Sequence, residues 1–182
     1  MSSDSGSGTL SAVLSPQLPR AVLRGDPLDH LLGAGAERPA SAPEPASSMI
    51  RAAVIGIDGR HLRTRELRQR LRAERHDFAH AVARLPGVRH MIIVLRVERD
   101  AERVATRVLD RMAHLAHIEL EMRRSRDICV TGVVIADDGN AGTLIEHLNE
   151  RIRHTPIEGS YVVSARQLVE RDISATAAEE LL

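Results

Sequence analysis

The spacing of apolar positions changes repeatedly along this chain, and each change marks an element. Residues 90–97 (HMIIVLRV) are an almost unbroken apolar run of strand length. From Ala101 to Leu115 the apolar residues Val104, Val108, Met112 and Leu115 fall three and four apart, the stripe of an amphipathic helix. Residues 118–122 (IELEM) alternate apolar and charged, as a strand with one wet face does. Residues 128–136 read as a more buried strand and 137–142 as a turn. Leu144, Ile145, Leu148 and Ile152 predict a second helix over 143–154, and residues 160–169 a last strand. The order β-α-β-β-α-β predicts an α+β, ferredoxin-like domain with both helices on one face of the sheet. The other face of so small a domain is bare. The expected solution is pairing with a second copy, as a homodimer or higher homo-oligomer.

Upstream, the apolar stretch 51–57 reads equally as strand or helix, and Asp58-Gly59-Arg60 is a turn signal. Residues 64–72 predict a helix with Thr64 as N-cap and Leu67 and Leu71 on one face. Residues 76–85 predict another, with Phe78, Val82 and Leu85 inward, closed by Pro86-Gly87. Residues 1–48 are rich in Ser, Gly, Pro and Ala. Residues 39–48 (PASAPEPASS) have linker composition, and 18–32 are interrupted by Pro19 and Pro27. Disorder is expected there, with room for one short helix. The chain thus divides into a tail (1–48), a basic helical segment (49–88), the ferredoxin-like domain (89–171) and a C-terminal tail (172–182).

Charge sharpens this division. The formal net charge is zero, and every basic residue is Arg. Residues 50–89 hold 10 Arg against 4 acids, a net +6, whereas 90–182 hold 12 Arg against 16 acids, a net −4. A basic block inside a neutral chain is either the footprint of a nucleic-acid contact or a solvated Arg-rich face. Aromatic residues are 1% of the chain, so its core is built from aliphatic side chains. Cys129 is the only cysteine, which excludes an internal disulfide. No apolar run reaches the roughly 20 residues of a membrane helix, and the start lacks a secretory pattern. A cytoplasmic protein without membrane association is expected.

Candidate chemistry is sparse. His76 and His80 are four apart and His114 and His117 three apart, but no Cys or carboxylate motif accompanies either pair. Asp137-Asp138-Gly139-Asn140 resembles a fragment of a calcium loop without its closing Glu, and reads as a turn. No nucleophile–base set and no phosphate-binding Gly loop is present. Neither enzymatic activity, nor a metal, nor a cofactor is expected.

Leu148-Asn149-Glu150-Arg151-Ile152-Arg153, the turn Thr155-Pro156-Ile157-Glu158-Gly159 and the apolar run after it are similar to the end of the sensor domain (ACT/RAM type) of feast/famine (Lrp/AsnC-type) regulators. Ser125-Arg126-Asp127 resembles that family's polar turn, with Arg124 and Arg126 replacing its usual Gly and aromatic residue. The resemblance implies a small amino-acid-like effector at a subunit interface, held by Ser125, Arg126 and Asp127. Asp127 would accept from an ammonium and Arg126 clamp a carboxylate. The plain alternative is a solvated turn. Residues 58–85 also resemble the family's helix-turn-helix through Asp58-Gly59-Arg60, Arg65-Glu66-Leu67, Arg70-Leu71, Phe78, Val82 and Arg84-Leu85. They have one extra residue after Asp58 and lack most of the linking hairpin. This implies DNA contact through Arg65, Arg68, Arg72, Arg75, His76, His80 and Arg84, some reaching bases and others phosphates. The alternative is a helical hairpin or strand–helix element packed on the sensor.

The resulting expectation is a DNA-binding transcriptional regulator that senses a small molecule through a dimeric ferredoxin-like domain. A stand-alone sensing or oligomerisation module without DNA contact is the main alternative. A weaker one is a ribosome-associated factor, since residues 57–62 (IDGRHL) resemble the opening of hibernation-factor domains.

Overall fold

The apolar runs 52–57, 91–95 and 129–135 lie side by side in one sheet in the computed structural model of the protein, which describes residues 13–15, 18–25, 50–124, 128–136, 141–154, 159–164 and 167. The strands are β1 (Val13–Ser15), β2 (Leu18–Arg24), β3 (Ala52–Asp58), β4 (His90–Arg96), β5 (Cys129–Ile135) and β6 (Ser160–Ser164). They stand in chain order across the sheet. β1 is antiparallel to β2, and every later pair is parallel. Ile55, Ile93, Gly132 and Val162 share one register line. Interior parallel strands are buried on both faces, which is why β3, β4 and β5 read as nearly continuous apolar runs. This settles residues 52–58 as strand.

Among the described residues three helices connect the strands: α1 (Thr64–Ala83), α2 (Glu102–Arg124, entered through a 3-10 turn at Arg99–Ala101) and α3 (Ala141–Arg153). α1 and α2 pack on the face presenting Ala53, Ile55, Met91, Ile93 and Val130. α3 packs on the opposite face against Ala52, Val54, Ile92, Val94 and Val133 through Leu144, Leu148 and Ile152. The strands step in one direction, so crossovers on opposite faces have opposite hand. The β5–α3–β6 crossover therefore runs against the two before it, an unusual feature given the strong preference for one hand.

Mixed helix and strand content is as expected, but the ferredoxin-like arrangement is not what this sheet shows. Residues 118–122 are the end of α2, not a strand. Ala116 and Leu120 continue the buried stripe of Ala105, Leu109, Met112 and Ala113, while Ile118 and Met122 are exposed. The two-residue alternation was incidental to a helix. With that strand gone, β5 returns to the sheet parallel to β4. The predicted bare face is absent as well. Ala52, Val54, Ile92, Val94, Cys129 and Val133 are fully buried within one chain, so the packing argument for a homodimer falls away.

The helix-turn-helix geometry is also absent. Residues 52–58, which the sequence leaves open between strand and helix, are β3, and residues 64–83 form one helix without a turn. Nothing at Ala73-Glu74-Arg75 breaks a helix, and Leu67, Leu71, Phe78 and Val82 line a single buried stripe along it. Arg63 rather than Thr64 occupies the N-cap position. Within the expected disordered tail, residues 13–15 and 18–24 are strands, with Ala21 to Arg24 paired to β3 and Pro19 ahead of that pairing. Among the described residues no helix is long and apolar enough to cross a membrane.

Gly132 sets the depth at which α2 seats on the sheet. A Cβ there would stand 2.8 Å from Val162 Cγ2 and 2.9 Å from Leu109 Cδ2. Gly132→Ala should cost about 1–3 kcal/mol by overpacking. Urea unfolding followed by circular dichroism should show a lower midpoint at unchanged slope. An unchanged midpoint would mean that α2 does not rest on this glycine.

Candidate functional site

α1 carries its basic residues on the side turned away from the sheet. Leu67, Leu71, Phe78 and Val82 take the inner stripe. Arg65, Arg68, Arg72, His76 and His80 are thereby exposed, and Arg75 leans half-buried toward α2. The helix starts where the Arg63 backbone N–H donates to the Glu66 carboxylate at 2.8 Å. Glu66 is thus engaged with the helix terminus. Glu74 is taken by Arg70 at 2.9 Å. Among the described residues Arg65, Arg68 and Arg72 have no ion pair. Spaced i, i+3 and i+7, they form a stripe about 10 Å long.

The far end of α1 meets α2 in a denser cluster. Glu119 of α2 receives Arg123 at 2.9 Å, His76 at 3.3 Å and Arg75 at 3.8 Å. His80 lies between two guanidinium groups, with Arg84 Nη2 2.8 Å from Nε2 and Arg123 Nη1 3.3 Å from Nδ1. A neutral imidazole accepts at one ring nitrogen only, so it satisfies just one of these donors. Three basic side chains share the Glu119 carboxylate, and His80 and Arg84 adjoin them. Chemically, the face presents donors and positive charge with little to neutralise them, which is a surface for phosphate or another polyanion.

The seven residues expected to contact DNA are thus brought together on one helix and its C-cap, Arg84. They are not arranged as a recognition helix projecting from a helix pair, because α1 lies packed against the sheet and α2. Ser125, Arg126 and Asp127 lie outside the described residues, as do the turns at 137–140 and 155–158. Of the other histidine pair, His114 is exposed and His117 is structural. The Nδ1–H of His117 donates to the Ile128 carbonyl at 3.0 Å, and its Nε2 meets Glu121 at 3.1 Å. Among the described residues no group of three His, Cys, Asp or Glu is placed to hold a metal.

Open parallel sheets commonly bind ligands beyond the carboxyl ends of their strands. There Arg60 grips Asp58 through Nη2 at 2.6 Å and Nε at 3.0 Å, and this guanidinium holds the Asp58 carboxyl below the usual range despite partial burial. His61, at φ 64°, stands 3.5 Å from Glu98. Among the described residues Asp58 and Glu98 each have a basic partner here, whereas Arg65, Arg68 and Arg72 on α1 have no acid. The chain matches no protein-family model, and no curated protein or solved structure is significantly similar to it.

Proposed function

We propose that the protein is a nucleic-acid-binding module that grips the phosphate backbone through the outer face of α1. The observation that carries this reading is the Arg65–Arg68–Arg72 stripe, which has no ion pair among the described residues, running toward Arg75, His76 and Arg123 on the one carboxylate of Glu119, with His80 and Arg84 beside them. A helix laid along a sheet does not enter a major groove, so binding reads charge rather than sequence. Of the regulator role implied by the feast/famine resemblance, this reading keeps the nucleic-acid contact. It needs neither the helix-turn-helix nor an effector. The second reading, an assembly or sensing module without nucleic acid, is favoured by one observation: residues 52–58 are an interior strand and not part of a DNA reader.

Fluorescence anisotropy with duplex and single-stranded oligonucleotides of unrelated sequence separates the two. The expected result is similar affinity across sequences, falling steeply between about 50 and 200 mM salt. Joint replacement of Arg65, Arg68 and Arg72 by Ala should reduce the salt slope by about one per arginine. Absence of binding at the lowest salt, or a slope unmoved in the triple variant, selects the second reading.

A further inference from the structure

On the face opposite α1 and α2, the last turns of α3 bury a guanidinium that no carboxylate among the described residues neutralises. Arg151 is 1% exposed. Its Nη2 donates to Cys129 Sγ at 3.1 Å, and its guanidinium carbon lies 5.2 Å from the centroid of the Tyr161 ring. Nε and Nη1 are buried without a partner. Among the described residues no carboxylate reaches it.

Two further groups beside it are also incomplete. The Tyr161 hydroxyl is buried beside Thr131 and Cys129, and neither meets it with good hydrogen-bond geometry. His90 sits next to Cys129 in the sheet register. Its Nε2–H donates to the His154 carbonyl at 3.2 Å, so Nδ1 is the ring's acceptor, and it too is buried without a donor. Burial and the Arg151 charge together push this imidazole down to about 4, keeping it neutral. Three unlike groups are thus left open in one patch: two N–H-bearing nitrogens of a cation, a hydroxyl donor and a neutral nitrogen acceptor. Buried polar groups in folded proteins are nearly always satisfied. A buried cation without an anion is the costliest of such exceptions. The missing complement is negatively charged, accepts hydrogen bonds from Arg151 and Tyr161, and donates one hydrogen bond to His90.

We propose that this patch is a binding site for a small oxyanion that carries its own O–H, of the hydrogen-phosphate type, held by Arg151 and the Tyr161 hydroxyl and oriented by His90. This site is independent of the basic face of α1. The site lies beneath the end of α3, where His154 N–H donates to the Glu150 carbonyl at 3.2 Å.

The test measures thermal unfolding midpoints and calorimetric titration of the full chain with inorganic phosphate, against chloride at equal ionic strength. Phosphate should raise the midpoint saturably, with one site that survives the Arg65, Arg68 and Arg72 triple replacement. Arg151→Met should fold at least as stably without phosphate, because it removes an uncompensated buried charge, and should lose the response. Tyr161→Phe should weaken phosphate about tenfold, by loss of a hydrogen bond to a charged group. Should Arg151→Met fail to fold, Tyr161→Phe alone decides. Formate, which has no proton to donate, should act more weakly than phosphate. Equal responses in chloride and phosphate, or a response unchanged in the variants, overturn the site. A formate response matching phosphate overturns the role given to His90.

Discussion

Phe78→Ala should lower stability by about 3–5 kcal/mol, the range for truncating a fully buried aromatic ring. Phe78 is the only phenylalanine in the chain and is fully buried in the second half of α1. With Ile55, Met91, Ile93 and Met112 it closes the space between the sheet, α1 and α2. That wall is stiff on two sides. Ile55, Met91 and Ile93 belong to interior strands hydrogen-bonded to both neighbours, so they cannot move inward to fill the void. Such poorly collapsing sites fall at the high end of the range. The chain has no tryptophan to report on unfolding, so circular dichroism in urea is the suitable probe. Phe78→Leu, which keeps most of the volume, should cost much less. A loss below about 1 kcal/mol for Phe78→Ala would place the ring outside the load-carrying contact of α1 with the sheet.

Acidification should remove about 3 kcal/mol of stability through His90 alone. Its native pKa is depressed to about 4 from an ordinary 6.5, first by burial, then by the Arg151 charge, with the His154 carbonyl opposing. Between these values the unfolded chain binds a proton that the native imidazole refuses. The contribution of the neutral, buried ring is therefore fully present above pH 6.5. It declines as the pH falls toward about 4, and below that the native ring is protonated too. Asp58, held low by Arg60, loses its share only in more acidic solution. Comparing the pH profile of unfolding free energy with that of His90→Gln isolates the histidine. The variant profile should be flatter between pH 6.5 and 4. Parallel profiles would show that His90 does not stay neutral in the native protein.

Some elements were legible from local pattern because their environment is uniform. β4 and β5 lie inside the sheet with both faces covered, and a run of aliphatic residues has no other comfortable state there. Of the stripe Leu144, Ile145, Leu148 and Ile152 expected on α3, Leu144, Leu148 and Ile152 are buried and Ile145 is half-buried at its margin, because a helix lying on a flat apolar face needs that spacing. α1 was misread as two helices, since Ala73, Glu74 and Arg75 carry no apolar residue to mark continuity. The basic residues of α1 were legible as a set, but their meeting with Glu119 and Arg123 was not, because those lie on another helix more than forty positions away. In the sequence Arg151 is simply a charged position near the end of an amphipathic helix. Its burial follows from the placement of α3 over Cys129 and Tyr161, which no local window contains.

What the amino-acid order determined by itself is where the apolar runs lie, how long they are, which sides of α1 and α3 are greasy, and that α1 is strongly basic. These depend on the period of side chains along one element, a local property. What tertiary structure alone decided is strand direction, the face on which each helix rests, and the company kept by Arg151. The reason is visible at residues 118–122. As a strand they would have met β5 through a short turn and made an antiparallel pair. As the end of α2, a 23-residue helix about 35 Å long, they carry the chain back across the sheet so that β5 starts at the same end as β4. Both readings satisfy the local pattern. Packing chose the second because only the helix buries Ala116 and Leu120 together with Leu109 and Ala113 against the sheet.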